Sequence, residues 1–349
     1  MSRFYSQKLN DLETYTPGEQ PQNLSSYTKL NTNESPFPPS EKAIERVKNE
    51  IEKLNLYPDP EAKDLVLEIA NFYGLGKENV SVFNGSDELL SFCFQLFGDN
   101  GVIFADITYG FYPVYAKVFK CKTTVLPVKE DFSISVDDYL NKTGTIFIAN
   151  PNATTGLALT ISDIRKLLES DRNRLVVVDE AYVDFGTESA VSLVREYDNL
   201  LVVQTMSKSR SFAGARLGIA ISNPEIIEDL NRIRYCFNPY NVNRLTLAGA
   251  VGAFSDKEYF DKCRKEIIKN REYLKCELKK LGFFVTDSLS NFVLAGTDKV
   301  TGKTLYEKLK EKKVLVRHFS GGRVENYVRI TIGTKEQTDI LIEKIKEII

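Results

Sequence analysis

Histidine is almost absent from this sequence, and cysteine is sparse. His318 is the only histidine among the 349 residues, and the five cysteines include no CxxC pair. Since structural and catalytic zinc sites need clustered thiolate or imidazole ligands, this composition argues against a metal site. An odd number of cysteines is also more typical of reduced cytoplasmic thiols than of a disulfide framework.

Charge of one sign and long apolar runs are lacking as well. The 46 lysines and arginines nearly balance the 48 aspartates and glutamates, so bulk electrostatics gives no reason to expect nucleic acid or an anionic membrane as a partner. No segment approaches the ~20 apolar residues that span a bilayer, and the N-terminal segment lacks the apolar core of a signal peptide. We therefore expect a cytoplasmic protein in which any phosphate recognition is local.

Helical patterns alternate with short β-branched runs from about Glu41 to Ile221. This alternation predicts an α/β fold, with a mostly parallel sheet and helices on both of its faces. A chain of this length can form two cores, and we assign the larger one to a domain at 41–254. Residues 255–349 follow the pattern of a small α+β domain with an antiparallel-rich sheet. The proline-rich residues 1–40 are typical of an ordered arm.

The same patterns predict individual elements. Strands are predicted at Val80–Phe83, Val102–Ala105, Thr145–Ala149, Leu175–Asp179, Leu200–Gln204, Leu217–Ile221, Phe283–Thr286, Asn291–Ala295, Val314–Arg317 and Tyr327–Ile332. Helices are predicted from Glu41, Glu61, Ser86, Gly302 and Lys335, near Ile161, and across Pro224–Phe254. A long charged helix is predicted at Lys257–Lys280, because Gly282 follows it where a C-cap belongs.

A hydroxyl-rich segment follows the predicted strand Leu200–Gln204. It contains Lys208 among small residues that include Thr205 and Ser207, and Arg216 lies eight positions further on. An amine beside hydroxyl groups and a guanidinium suits a covalent bond to a ligand that carries a phosphate. Composition alone would favour a solvent-exposed loop. The residues at the ends of the other predicted strands are therefore needed to distinguish a ligand site from such a loop.

A carboxylate and a phenol follow another predicted strand. The buried run Leu175–Asp179 ends in a carboxylate, and Tyr182 comes shortly after it. In open α/β sheets, ligands bind in the crevice outside the carboxyl ends of the strands. Because a buried carboxylate is costly without a cation or a donor, Asp179 must have a partner, and a pyridinium nitrogen would serve.

A third polar segment lies between the strand Val80–Phe83 and an apolar helix. Here Gly85, Ser86 and Asp87 begin the helix, which would leave unpaired N–H groups and the positive end of the helix dipole free to bind an anion. Taken alone, the segment is equally an ordinary N-cap, and caps are far commoner than phosphate sites. Its position at a strand end, like that of the other two segments, favours the anion site.

In this order and spacing, the three segments resemble the fold-type I pyridoxal-phosphate aminotransferases. The resemblance runs through almost the whole chain and also covers Leu30–Pro36, Tyr57–Asp59, Tyr109, Asn150–Gly156 and Val328–Thr334. It implies an aspartate aminotransferase-like large domain and pyridoxal 5'-phosphate as the cofactor. Within the family, the chain is most similar to members that transfer the amino group of histidinol phosphate to 2-oxoglutarate. Those members produce imidazole acetol phosphate and glutamate in histidine biosynthesis.

The resemblance implies a role for each residue of the cofactor site. Lys208 would bind the cofactor covalently and, once the substrate amine displaces it, move a proton between the substrate carbon and C4' of the cofactor. Asp179 would keep the ring nitrogen protonated. Tyr182 and Asn152 would hydrogen-bond the ring oxygen, and Tyr109 would stack on the ring. The phosphate would be bound by Gly85, Ser86, Asp87, Thr205, Ser207 and Arg216, and by Tyr57 of the partner subunit in a homodimer.

The substrate side of the site rests on arginines in the C-terminal part of the chain. In the resembling family, the counterpart of Arg329 binds the anionic end of the substrate. Its guanidinium would take the glutamate carboxylate in one half-reaction and the substrate phosphate in the other. Arg317, with Tyr15 and Asn33 from the arm, would complete the pocket. Without the resemblance, Arg329 reads as a surface strand arginine in a salt bridge.

The chain departs from the family pattern in two loops. The family usually reads Asn-Pro-Asn-Asn-Pro-Thr-Gly where this chain has Ala153 and Thr154 in place of the second Asn-Pro pair. A proline often found two residues before the stacking tyrosine is Ile107 here. Because a cis peptide at a non-proline residue costs ~3 kcal/mol, we expect both loops to be trans and slightly displaced.

Other functions were weighed against these residues. A dinucleotide site is excluded, because Gly74 and Gly76 follow a helical pattern and Asn79 occupies the third glycine position. Two enzymes of the same fold remain open: a phosphothreonine decarboxylase with the same lysine and aspartate, and an aromatic or general amino-acid aminotransferase. A non-catalytic pyridoxal-phosphate-binding regulator would need a DNA-binding module, for which the chain has neither the length nor a basic segment.

Overall fold

The computed structural model describes residues 2–5 and 16–349. Its strands are β1 (Thr28–Lys29), β2 (Val80–Phe83), β3 (Val102–Ala105), β4 (Thr123–Leu126), β5 (Thr145–Ala149), β6 (Val176–Asp179), β7 (Leu200–Thr205), β8 (Gly218–Ser222), β9 (Phe284–Val285), β10 (Phe292–Gly296), β11 (Val314–Leu315), β12 (Arg317–His318) and β13 (Tyr327–Thr331). Its helices are α1 (Glu41–Glu50), α2 (Lys63–Tyr73), α3 (Gly85–Phe97), α4 (Phe111–Val118), α5 (Asp137–Leu140), α6 (Ile161–Ser170), α7 (Pro224–Phe237), α8 (Arg244–Ser255), α9 (Lys257–Lys280), α10 (Gly302–Glu311) and α11 (Lys335–Lys346).

The large sheet has the strand order β2-β8-β7-β6-β5-β3-β4. Strands β3 to β7 pair in parallel with their neighbours, whereas β8 is antiparallel to both β7 and β2. Every residue of β2, β3, β5, β6, β7 and β8 is buried, which is why these strands are nearly continuous apolar runs. The predicted α/β fold with a mostly parallel sheet is confirmed.

Two hydrophobic cores lie on opposite faces of this sheet. Val177 of β6 belongs to one core, and its neighbours Val176 and Val178 belong to the other. This follows from the period of two, since successive side chains of a strand point to opposite faces. Both faces are therefore covered, as the sequence predicts.

The C-terminal part of the chain forms an antiparallel sheet with the order β12-β13-β10-β9. The core that contains Val177 also contains Phe292 and Val328 from this sheet, so one apolar layer joins the two sheets. From the arm, β1 pairs in parallel with β11. The division at 254/255 stays a prediction.

The segment between Phe111 and Leu140 differs most from the sequence-based prediction. It contains α4, β4 and α5, none of which the apolar patterns revealed, and β4 is a partly exposed edge strand. The helical patterns predicted across Pro224–Phe254 are the two helices α7 and α8, and the Asn243 side chain caps α8 by accepting the Thr246 N–H. Among the described residues, no helix combines the length and apolarity needed to cross a membrane.

Close packing of α1 on α8 yields a stability prediction. A Cβ at Gly252 would lie 2.7 Å from Ala43 Cα, whereas a Cβ at Gly249 would meet the movable side chains of Val47 and Phe212. Gly252→Ala should therefore lower the free energy of unfolding by about 1–3 kcal/mol. Gly249→Ala should cost less, because side chains can shift and alanine is the better helix former. Urea unfolding at one fixed protein concentration measures both, and equal losses would contradict the packing argument.

Candidate active site

A cavity of about 310 Å³ lies at the carboxyl ends of the central strands. Ala149, Asp179 and Thr205, the last residues of β5, β6 and β7, all line it. This is the edge at which ligands bind in open α/β sheets. The predicted site residues on its wall are Ser86, Asp87, Tyr109, Asp179, Tyr182, Thr205, Ser207, Lys208 and Arg216.

Lys208 projects into this cavity from the loop after β7. Its Nζ donates a hydrogen bond to the carbonyl oxygen of Thr32 at 3.4 Å and lies 5.8 Å from the centre of the Tyr182 ring. Burial, and then the nearby Arg329 cation, lower the pKa of the amine from 10.5 to about 8, while the Glu34 carboxylate acts in the opposite direction. Near neutral pH a useful fraction of Lys208 is thus the uncharged nucleophile.

Asp179 closes the deep end of the cavity. Its Oδ2 accepts a hydrogen bond from the Tyr112 hydroxyl at 2.9 Å, and its Oδ1 accepts one from the Ala181 N–H at 3.2 Å. Burial raises the pKa of this carboxyl from 3.8 to about 6, although both hydrogen bonds act against the rise. Within residues 2–5 and 16–349 no lysine or arginine forms an ion pair with Asp179, so a cationic ligand would supply the missing countercharge.

Arg216 lies at the N-terminal end of α3. Its Nη2 is 3.0 Å from Oδ2 of Asp87, and its Nη1 donates to the hydroxyl of Ser207 at 3.3 Å. Gly85 has a φ of +80°, and a Cβ at this position would lie 2.6 Å from the same Nη2. Glycine is therefore required both for the backbone conformation and for the guanidinium to reach the helix end. A guanidinium beside a helix N-terminus makes a site for an anion such as phosphate.

Hydroxyl groups complete the wall around this anion site. Thr205 Oγ1 donates to the carbonyl oxygen of Leu217 at 3.0 Å and accepts from the Ser207 N–H at 3.1 Å. The Tyr109 hydroxyl donates to Oδ1 of Asp87 at 2.5 Å, and burial followed by this carboxylate raises the pKa of the phenol. The phenol thus stays protonated, and its ring is held at the cavity wall.

A second cavity of about 300 Å³ opens beside the first. The two share Thr32, Tyr109, Ala153, Tyr182 and Lys208. The predicted substrate residues Asn33, Arg317 and Arg329 line the second cavity. The Asn33 amide also donates to the Tyr182 hydroxyl at 3.0 Å, which fixes the phenol between the cavities. Lys208 therefore stands where the two cavities meet.

Arg329 is partly buried, whereas the alternative interpretation of the sequence is a surface arginine on a strand. Its Nη1 donates to the carbonyl oxygen of Ala153 at 3.0 Å. Its guanidinium carbon lies 5.2 Å from the centre of the Phe292 ring and 5.4 Å from that of Phe319, which limits its movement. Arg317 is the residue directly opposite Arg329 in the β12–β13 ladder, so the two cations lie side by side on one wall.

Arg317 ties the arm to the second cavity. Its guanidinium donates to the carbonyl oxygens of Thr16 at 2.8 Å and Pro17 at 3.2 Å. The predicted substrate residue Tyr15 lies outside the described residues, directly before this anchored segment. Thr16 and Pro17 are therefore held beside the second cavity by contacts to their backbone.

The structure does not bring Asn152 to either cavity wall. Its Nδ2 donates to the carbonyl oxygen of Ile107 at 2.8 Å, and its Oδ1 accepts the N–H groups of Thr154 and Thr155 at 2.9 and 3.0 Å. The amide that we predicted to contact a ring oxygen instead joins the two loops that depart from the family pattern. Asn152 therefore lines neither cavity here, and its predicted contact with a ring oxygen stays a prediction.

Tyr57 also lies away from the cavities of its own chain. Its side chain is 76% exposed, and its ring stacks on Tyr240 with the ring centres 4.4 Å apart. Its carbonyl oxygen accepts a hydrogen bond from Arg244 at 2.7 Å. A contact between Tyr57 and a bound phosphate would require a second subunit.

Sequence reasoning missed several residues that the fold brings to the site. Tyr112 was not predicted, although its place three residues after Tyr109 is the spacing of one helix face. Glu34 lines the first cavity, and its Oε2 accepts a hydrogen bond from the Thr32 hydroxyl at 2.8 Å. The sequence segment Leu30–Pro36 did not predict that Glu34 lies at the cavity. Glu180 lies buried next to Asp179, and burial raises its pKa to about 7. Of these contacts, only the Tyr112–Asp179 hydrogen bond joins segments that are far apart in the chain.

Comparisons with known proteins agree with this geometry. The model of the family "Aminotransferase class I and II" matches residues 25–345. A cavity with a nucleophilic lysine, a buried carboxylate and an anion site is what such enzymes need to hold their cofactor. The chain belongs to the class I and II aminotransferase family.

Comparison with individual relatives shows which members of the family the chain is similar to. Over its full length the chain is 47% identical to a histidinol-phosphate aminotransferase from Brachyspira hyodysenteriae, of which it covers 99%. It is 45% identical to the histidinol-phosphate aminotransferase from Clostridium acetobutylicum, with all of both chains covered. Within the class I and II aminotransferases, these full-length relatives are histidinol-phosphate aminotransferases.

Solved structures share the fold at lower identity. The histidinol-phosphate aminotransferase from Sinorhizobium meliloti in complex with pyridoxal-5'-phosphate has a TM-score of 0.89 at 20% identity, covering 100% of this chain and 98% of that one. L-threonine-O-3-phosphate decarboxylase from Porphyromonas gingivalis has a TM-score of 0.80 at 22% identity, covering 91% and 98%. The fold alone therefore does not distinguish amino transfer from decarboxylation.

The lowered pKa of Lys208 makes a prediction for the ligand-free protein. Acylation of Lys208 by an amine-selective reagent should rise with pH around a midpoint near 8, because only the neutral amine reacts. Arg329→Met removes a cation that lowers this pKa, so the midpoint should move to higher pH. Competitive labelling and mass spectrometry of a digest measure the midpoint, with the other lysines as internal references. A wild-type midpoint near 10.5 would contradict the described environment.

Proposed function

We propose that the protein is a cytoplasmic, pyridoxal-phosphate-dependent enzyme that transfers the amino group of histidinol phosphate to 2-oxoglutarate. The observation that carries this proposal is the meeting of two cavities at Lys208, with an anion site in the first and two guanidinium groups in the second. The full-length similarity to histidinol-phosphate aminotransferases supports the substrate.

The residues of the first cavity fit pyridoxal phosphate. Lys208 would hold its aldehyde carbon, and Arg216 with the N-terminus of α3 would bind its phosphate. Asp179 lacks a cationic partner among the described residues, and a protonated ring nitrogen would provide one. The Tyr182 hydroxyl, oriented by Asn33, is available to the ring oxygen. A side chain at Gly85 would collide with the Arg216 guanidinium, so glycine at this position leaves the backbone open to close approach of a phosphate.

Asp179 and Lys208 would provide the acid–base chemistry of the reaction. When bound, pyridoxal phosphate draws electrons away from the substrate carbon that carries the nitrogen. The Asp179 carboxylate would favour a protonated ring nitrogen by electrostatic attraction. The Lys208 amine, with its pKa lowered to about 8, would take a proton from the substrate carbon and deliver it to C4' of the cofactor.

The second cavity supplies substrate recognition. Arg329 and Arg317 face it from adjacent positions of two paired strands. A guanidinium fork matches both a phosphate and a carboxylate, so the same wall can bind histidinol phosphate in one half-reaction and glutamate in the other. Anchoring of the arm by Arg317 would shield this wall from water.

The half-reaction provides the decisive test. Enzyme loaded with pyridoxal phosphate and mixed with histidinol phosphate alone should change from the absorbance of the lysine-bound cofactor to that of the aminated cofactor. Addition of 2-oxoglutarate should reverse the change. Lys208→Ala should bind the cofactor noncovalently and show no conversion, because the proton-transferring amine is absent.

Other substrates act as controls in the same assay. Conversion by phenylalanine but not by histidinol phosphate would sink the substrate assignment in favour of an aromatic aminotransferase. Release of carbon dioxide from phosphothreonine would favour the decarboxylase that shares this fold. Normal turnover by Lys208→Ala would end the proposed role of the lysine.

We propose further that the active site is shared between the subunits of a homodimer. Tyr57 belongs to an exposed group of apolar side chains, which is unusual for a protein surface that stays in water. The group consists of Ile51, Leu54, Leu56, Tyr57, Phe237 and Tyr240. In a symmetric dimer, Tyr57 of the partner subunit would donate its hydroxyl hydrogen bond to the cofactor phosphate.

Mixed dimers of Tyr57→Phe and Lys208→Ala chains test the sharing. One site of such a dimer would lack both groups, and the other would retain Lys208 together with Tyr57 of the partner subunit. The retained site should bind the cofactor with wild-type affinity, whereas the Tyr57→Phe homodimer should bind it roughly tenfold more weakly. Cofactor titration with separately tagged chains measures this. If the mixed dimer binds as weakly as the Tyr57→Phe homodimer, Tyr57 does not act across subunits.

A further inference from the structure

The wall of the second cavity carries opposite charges on different elements. Arg317 and Arg329 face it from the antiparallel sheet, and Asp106 faces it from the end of β3. Among the described residues that line this cavity, Asp106 is the only one with an acidic side chain. The proposed chemistry does not use it, because the substrate amine reacts at Lys208 and the anion binds the guanidinium groups.

Asp106 is rigidly held through one of its two carboxylate oxygens. Oδ1 accepts hydrogen bonds from the N–H groups of Ile107 and Val128, both at 2.9 Å. Within the described part of the chain, Oδ2 has no hydrogen bond, and its nearest cation is Arg323 Nη1 at 3.9 Å. One oxygen is thus fixed to the backbone, and the other remains available.

Arg323 does not occupy that remaining oxygen. Its Nη1 donates to the carbonyl oxygen of Val128 at 2.6 Å, and its Nη2 donates to that of Lys129 at 2.6 Å. The side chain of Asp106 is 32% exposed. Since a charged oxygen in a partly enclosed cavity is most stable with a donor, a ligand N–H would bind there favourably.

The surroundings of Asp106 suit a flat ring. Ile107, Phe319 and Val324 contribute apolar surface to the same cavity. On the proposed function, we infer that Asp106 selects the substrate by accepting a hydrogen bond from the N–H of its imidazole ring. The amine then lies at Lys208, the phosphate at the guanidinium groups and the ring at Asp106. A site built for a ring N–H rejects an isosteric ring without it, because the carboxylate oxygen loses its donor.

The test compares two substrates that differ only in the ring. Histidinol phosphate has the ring N–H, and the phosphate ester of phenylalaninol has a phenyl ring in its place. The ratio of their kcat/KM values should fall roughly tenfold or more in Asp106→Ala and in Asp106→Asn. Asp106→Asn keeps an oxygen for the two backbone N–H groups, and any general damage in Asp106→Ala cancels in the ratio.

Glu130→Gln is the matched control, since it removes an exposed negative charge from the neighbouring loop without touching the cavity. Its substrate ratio should equal that of the wild type. A wild-type enzyme that prefers histidinol phosphate, with the same preference in both Asp106 variants, overturns this inference alone. A wild-type enzyme that does not convert histidinol phosphate overturns the proposed function and the role of Asp106 with it.

Discussion

Burial of charge at one edge of the parallel sheet is the constraint on which the site depends. Asp179 ends a strand that is buried on both faces, so the pKa of its carboxyl is raised to about 6, and no ion pair to it forms within residues 2–5 and 16–349. The same enclosure lowers the pKa of Lys208 to about 8. Exposure to water would return both pKa values towards normal. Asp179 would then no longer favour a cationic ligand, and less of the Lys208 amine would be neutral near pH 7. The hydrophobic layers that form the fold therefore also establish the chemistry.

Two glycines allow the backbone and Arg216 to come together at the anion site. Gly85 admits the guanidinium of Arg216, and a Cβ at Gly218 would lie 2.5 Å from the backbone of Gly85 and Ser86. The start of β8 and the start of α3 can approach this closely only because both positions lack a side chain. The positive end of the helix and the arginine consequently act on the same point, where each alone would bind a phosphate weakly.

Both sheets contribute residues to the second cavity. Lys208 and Asp106 come from loops of the large sheet, whereas Arg317 and Arg329 come from the antiparallel sheet. A common apolar layer that includes Val177 and Phe292 holds the sheets together. The relative position of cations, amine and carboxylate is thus determined by packing rather than by any one loop, which suits selection among phosphate-bearing amines.

Local patterns in the sequence determined the fold class, most buried strands and the choice of Lys208, Asp179 and Arg216, because apolar runs and strand-end motifs are properties of short segments. Tertiary structure alone decided that Tyr112 bonds to Asp179, that the Asn152 amide bonds to the carbonyl oxygen of Ile107, and that Asp106 shares a wall with the two arginines. These pairs are far apart in the chain, and no periodicity records which distant segments meet. Only the packing of the two sheets and their helices brings them within reach.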